Sequence, residues 1–149
     1  MRNRFAITAS FLFVAAPVLA QQPAQDEAAV RAVAAGFGKA LAAGDSAAAL
    51  ALLHPDVVIF EGGAWESLED YRRGHLSADM RALQGRTQET VRDQVTINGE
   101  LALITREYRT TSADGVRTGA ETMVLLRTSN GWKIRHIHWS SRARRAPEG

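Results

Sequence analysis

Gly131-Trp132-Lys133-Ile134-Arg135-His136-Ile137-His138-Trp139-Ser140-Ser141 is the stretch on which the reading of this chain turns. It alternates as a β-strand does, and strand side chains point to opposite faces with a period of two. An uninterrupted strand puts Trp132, Ile134, His136 and His138 on one face, and Lys133, Arg135, Ile137 and Trp139 on the other. Burying two unpaired cations costs more than burying two imidazoles, so the histidine face is expected to look inward. Imidazoles in an interior need polar partners, and a cavity supplies them. Ile137 and Trp139 would then project outward, toward a partner or under the chain's own tail. A β-bulge near His136 would invert part of this assignment.

Working back from this strand, the turn Ser129-Asn130-Gly131 follows an extended run from Val116 to Arg127. Ser112-Ala113-Asp114-Gly115 separates that run from Leu101 to Thr111, and Asn98-Gly99 is a strong hairpin signal after Val91 to Ile97. Further upstream, Val57-Val58-Ile59-Phe60-Glu61 reads as a strand ending at Gly62-Gly63. The rest is helical. Val30, Val33, Phe37 and Leu41 are spaced for a helix starting at Asp26, which Gly44 ends and Asp45 follows as cap. A second helix, 46–53, stops at His54-Pro55, and 67–83 reads as a third. Helices followed by a long meander define an α+β chain.

The N-terminus carries a different signal. Met1-Arg2-Asn3-Arg4 is basic, Phe5 to Pro17 is apolar, and Val18-Leu19-Ala20 precedes polar Gln21-Gln22. That pattern is a secretory signal peptide over 1–20, cleaved after Ala20, and it implies a periplasmic or secreted protein. The apolar run is short for a membrane span, so no stable insertion is expected after its removal. Residues 21–25 read as a disordered leader and 143–149 as a basic flexible tail. The chain has no cysteine, so its core carries the fold without disulfides. Eighteen lysines and arginines stand against 16 acidic residues. Loss of Arg2 and Arg4 with the signal balances the charge, which argues against nucleic-acid binding.

Ala43-Gly44-Asp45 at a helix joint, His54-Pro55-Asp56 entering a strand, a third helix and the closing Gly131 to Ser140 strand together are a recognisable set. In these features residues 26–142 resemble the SnoaL-like branch of the nuclear transport factor 2-like superfamily. The resemblance implies helices packed in a curved antiparallel sheet, forming a cone with an interior pocket, often as a homodimer. It also implies small-molecule binding or chemistry of the ketosteroid-isomerase and dehydratase kinds, without choosing among them.

Polar residues narrow the choice. Glu61 is either a pocket carboxylate suited to moving protons or the solvated end of a strand. Tyr71, His75 and Asp79 form one helical stripe, either an exposed polar face or part of a site. Glu61 and Asp79 are the candidate general bases. His54, Trp65, Tyr71, His75, Tyr108, His136 and His138 are further candidates for the pocket, although His54 would also serve simply to shape the turn at Pro55. In a competing arrangement His75 and Asp79, one helical turn apart, join His136 and His138 around zinc or copper. No cofactor is required by the other readings.

Overall fold

The computed structural model describes residues 22–113 and 115–143. The segment read as a signal peptide and most of the basic tail lie outside them. Helix α1 (Gln22–Ala43) leads into α2 (Ser46–Leu52), and strands β1 (Leu53–Glu61) and β2 (Ala64–Glu66) follow. Helices α3 (Leu68–Arg73) and α4 (His75–Leu83) precede the long strands β3 (Thr87–Asn98), β4 (Leu101–Ser112), β5 (Gly115–Thr128) and β6 (Gly131–Ala143). The six strands form one sheet in the order β2-β1-β6-β5-β4-β3. All neighbours are antiparallel except β1 and β6, so the sheet is mixed rather than wholly antiparallel.

Local chemistry explains the helix boundaries. Helix α1 starts at Gln22, within the expected leader, because Pro23 falls in the first turn, where a missing N–H breaks no intrahelical bond. The Asp45 side chain accepts a hydrogen bond from the Ala48 N–H at 2.9 Å and caps α2. Ser67 and Asp70 form a reciprocal capping box at the start of α3. The expected third helix is broken into two at Gly74, which leaves the helical conformation (φ −113°, ψ −93°). A Cβ there would lie 3.2 Å from the Asp70 carbonyl oxygen, a tight contact that a residue without a side chain avoids.

The core lies between the helices and the inner face of the sheet. Val30, Ala34, Phe37 and Leu41 of α1 meet Ile59, Ile104, Met123, Leu125, Ile134 and Ile137 from four strands. Arg127 fastens the edge of this core, pairing with Asp26 at 2.5 Å and lying 4.4 Å from the centre of the Trp132 ring.

Strand β6 corrects the expected faces. Ile134 is opposite Leu125, but His136 is opposite Val124, so Arg135 is an extra residue with no partner on β5. The alternation changes phase there. Trp132, Ile134, Ile137 and Trp139 all reach the core side, while His136 and His138 turn to the outer face beside Phe60. Energetics favour the bulge. Without it Ile137 would lose about 1.5–3 kcal/mol of burial, Trp139 would be exposed as well, and two imidazoles would need interior partners. One missing ladder hydrogen bond costs only about 1 kcal/mol.

Candidate functional site

A cavity of about 160 Å³ lies between α1, α4 and the inner face of β4, β5 and β6. Phe37 and Leu41 of α1, with Met123 and Trp139 from the sheet, form its apolar walls. Trp139 stacks on Phe37 with ring centres 6.4 Å apart. Along β4 the inward positions are Ala102, Ile104, Arg106, Tyr108 and Thr110, and along β5 they include Glu121 and Met123. The same alternation that builds the core therefore brings charge into it.

Tyr108 is placed by the absence of a side chain opposite. Gly119 is its cross-strand partner, and a Cβ on Gly119 would sit 2.3 Å from Tyr108 Cζ. The phenol thus lies across bare backbone, its hydroxyl 3.5 Å from the Ser140 carbonyl oxygen, and burial pushes its pKa up to about 12. Arg106 and Glu121 face each other at 3.4 Å, both largely buried. Burial raises the Glu121 carboxyl, and the Arg106 guanidinium opposes the rise.

Asp79 lies on the cavity wall, in the second turn of α4. The hydroxyl of fully buried Tyr71 donates to it at 2.8 Å. Burial is the main cause that pushes the Asp79 carboxyl up to about 6; the Tyr71 hydrogen bond opposes this, and the charge of Glu61 adds to it. The Tyr71 phenol is itself raised, chiefly by burial and then by Asp79. Glu61 also lines the cavity. It stands at the end of β1 and is half-buried.

Other expected site residues lie elsewhere. His75 Nδ1 stands 2.8 Å from Glu66 Oε2 at the start of α4, and this contact holds the imidazole above its usual range. His54 Nδ1 accepts a hydrogen bond from the Asp56 N–H at 3.1 Å, so it shapes the entry to β1. Trp65, expected as lining, is 58% exposed on β2. His136 and His138 are on the outer face: Phe60 lies 5.7 Å from one ring and 6.5 Å from the other. Desolvation lowers the His136 pKa, and His138 and Arg135 lower it further. The four supposed metal ligands do not converge, because Asp79 faces the cavity and this histidine pair faces away from it. Among the described residues no group of three or more histidines and carboxylates is placed to hold an ion.

Arg86, Arg106, Arg117 and Glu121 line the cavity but were not among the expected residues. A signal for two of them exists in the sequence. Arg106 falls in phase with Ile104 and Tyr108, and Glu121 with Met123 and Leu125, so a charge interrupts each inward apolar row.

The SnoaL-like domain family matches residues 30–144, and the chain belongs to that family. Among solved structures, a candidate ketosteroid isomerase from Shewanella frigidimarina is 35% identical with a TM-score of 0.72, covering 77% of this chain and 97% of its own. A candidate dehydratase of the NTF2-like family from Streptomyces avermitilis is 22% identical with a TM-score of 0.71, covering 83% and 99%. The CaMKII hub of S. rosetta shares the fold at a TM-score of 0.61 and 22% identity, over 76% of this chain and 95% of its own. No curated protein matches the sequence.

Proposed function

We propose that the protein binds a small organic molecule in its cavity and that Asp79 exchanges a proton with it. One observation carries this reading. A carboxyl on the cavity wall, held by the buried Tyr71 hydroxyl at 2.8 Å, is pushed up to about 6, close to the pH at which a general base works best. A cavity near 150 Å³ is enough for benzene, so this one, at about 160 Å³, suits a molecule of single-ring size. Glu61, on the same wall, raises the proton affinity of Asp79 and is the second candidate base. The 35% identical candidate ketosteroid isomerase supports proton transfer at a carbon next to a carbonyl as the chemistry.

The test is deuterium incorporation at the α-carbon of acetophenone and cyclohexanone, followed by NMR with the parent, Asp79→Asn and Glu61→Gln. Proton transfer by a placed base contributes roughly 10²–10⁴-fold, and a loss of that size is expected in Asp79→Asn. Equal rates in the parent and Asp79→Asn would end the assignment.

The basic and apolar pattern of residues 1–20 supports export, and an N-terminus at Gln21 in the periplasmic fraction is the expected result. The outer sheet face, where Phe60 is 38% exposed beside His136 and His138, supports a homodimer. Light scattering on the purified protein decides that point.

A further inference from the structure

The charges around the cavity do not cancel locally. Arg106 is engaged by Glu121. Among the described residues Arg117 donates only to the neutral Ser141, from Nε to Oγ at 3.3 Å and from Nη2 to the carbonyl oxygen at 3.2 Å. The Arg86 side chain has no hydrogen-bond or ion-pair partner among the described residues. Arg86 and Arg117 line both the main cavity and an adjoining hollow walled by Ser112, Gly115 and Val116, which places them toward the β4–β5 turn.

The carboxylates sit at another level of the sheet. Glu121 is opposite Trp139, and Phe60, next to Glu61, is opposite His138. Arg117 lies four residues further along β5, about 13 Å at the rise of a strand. Apolar Trp139 and Phe37 line the cavity as well. Among the described residues, one end of the cavity is therefore cationic with no carboxylate paired to it, while Glu61 and Glu121 lie at the other level.

We propose that the ligand is an organic monocarboxylate of single-ring size, with its carboxylate between Arg86 and Arg117 and its ring against Trp139, Phe37 and Tyr108. The inference rests on the cavity being a ligand site and adds the ligand's chemical class. Guanidinium groups recognise carboxylate and phosphate alike. A monoanion fits better here, because Ser141 already holds part of Arg117 and because Glu61, Asp79 and Glu121 line the same cavity and repel a second negative charge.

The experiment titrates the purified protein at pH 7.5 with benzoate, the isosteric but neutral benzamide, and phenyl phosphate. It reads tryptophan fluorescence and heat of binding, with Trp139→Phe as the control that removes the reporting ring. Benzoate is expected to bind at least about tenfold more tightly than benzamide, with a margin that shrinks as salt rises. Arg86→Gln and Arg117→Gln should each reduce that margin, and the double variant should abolish it. Equal binding of benzoate and benzamide would overturn the anion site yet leave the cavity reading standing. Tighter binding of phenyl phosphate would overturn the monocarboxylate. Failure of all three probes to bind at millimolar concentration would overturn both readings.

Discussion

The Tyr71 hydroxyl donates to Asp79 at 2.8 Å, from a side chain with no exposure of its own. Two opposed effects meet at this bond. Burial favours the neutral acid, and the phenolic donor favours the carboxylate. Burial wins, but only as far as about 6, which leaves Asp79 able both to take and to give a proton near neutrality. Tyr71→Phe removes the opposing effect. The midpoint of any Asp79-dependent rate should therefore move up by roughly one pH unit, and an unmoved midpoint would show that the hydroxyl does not act on the carboxyl.

Stability carries the same imprint with a definite sign. The Asp79 carboxyl in the folded chain titrates at about 6, above its ordinary 3.8. Between those values the folded state holds a proton that the unfolded chain has released, so stability falls as pH rises through the window. Asp79→Asn should thus stabilise the protein above pH 6 by about 1–2 kcal/mol, the full shift being discounted for the solvent that still reaches the group. Below pH 4 parent and variant should differ little on this account. Urea unfolding at pH 4 and pH 8 measures both.

Gly119 and Tyr108 form a pair in which neither can change alone without cost. Gly119→Ala drives a methyl into the phenol ring, 2.3 Å from Cζ, and an overpacked core costs typically 1–3 kcal/mol. Tyr108→Ala opens a void instead, at about 3–5 kcal/mol, by analogy with other aromatic truncations. The double variant should be more stable than the sum of the two losses predicts. Additive losses in the double-mutant cycle would mean that the ring does not rest on this glycine.

The histidines are distinguishable by titration. His75, next to Glu66, should titrate above the ordinary value of 6.5, and desolvated His136 below it. Glu66→Gln should bring His75 down, whereas His138→Ala should bring His136 up, since each removes a named cause. Ring proton shifts in NMR follow all four. Coincident titration of His75 and His136 would contradict the two environments.

The helix pair, the hairpin turns and the succession of elements along the chain were legible because Gly44, Asp45, Asn98 and Gly99 act locally. Asp79, Glu61, Tyr71 and Tyr108 were legible as polar groups at suitable phases, although their convergence depends on tertiary packing. The break at Gly74 was lost inside a helical pattern, since one glycine lowers propensity without stopping a helix. The histidine faces were misread because period two was carried through Arg135. Their signal was nevertheless present: Trp132, Ile134, Ile137 and Trp139 are spaced two, three and two apart, and the step of three marks the change of phase. Arg86 and Arg117 gave no such signal, because arginine on a loop or near a strand end is ordinarily solvated.

Position 135 consequently tolerates changes of kind far better than changes of number. Many side chains could replace that arginine without disturbing what lies ahead of it, but deleting a single codon there would turn the remaining eight residues of β6 inside out. The frame of the closing strand is thus a heritable property separate from its vocabulary: length is fixed where identity is free.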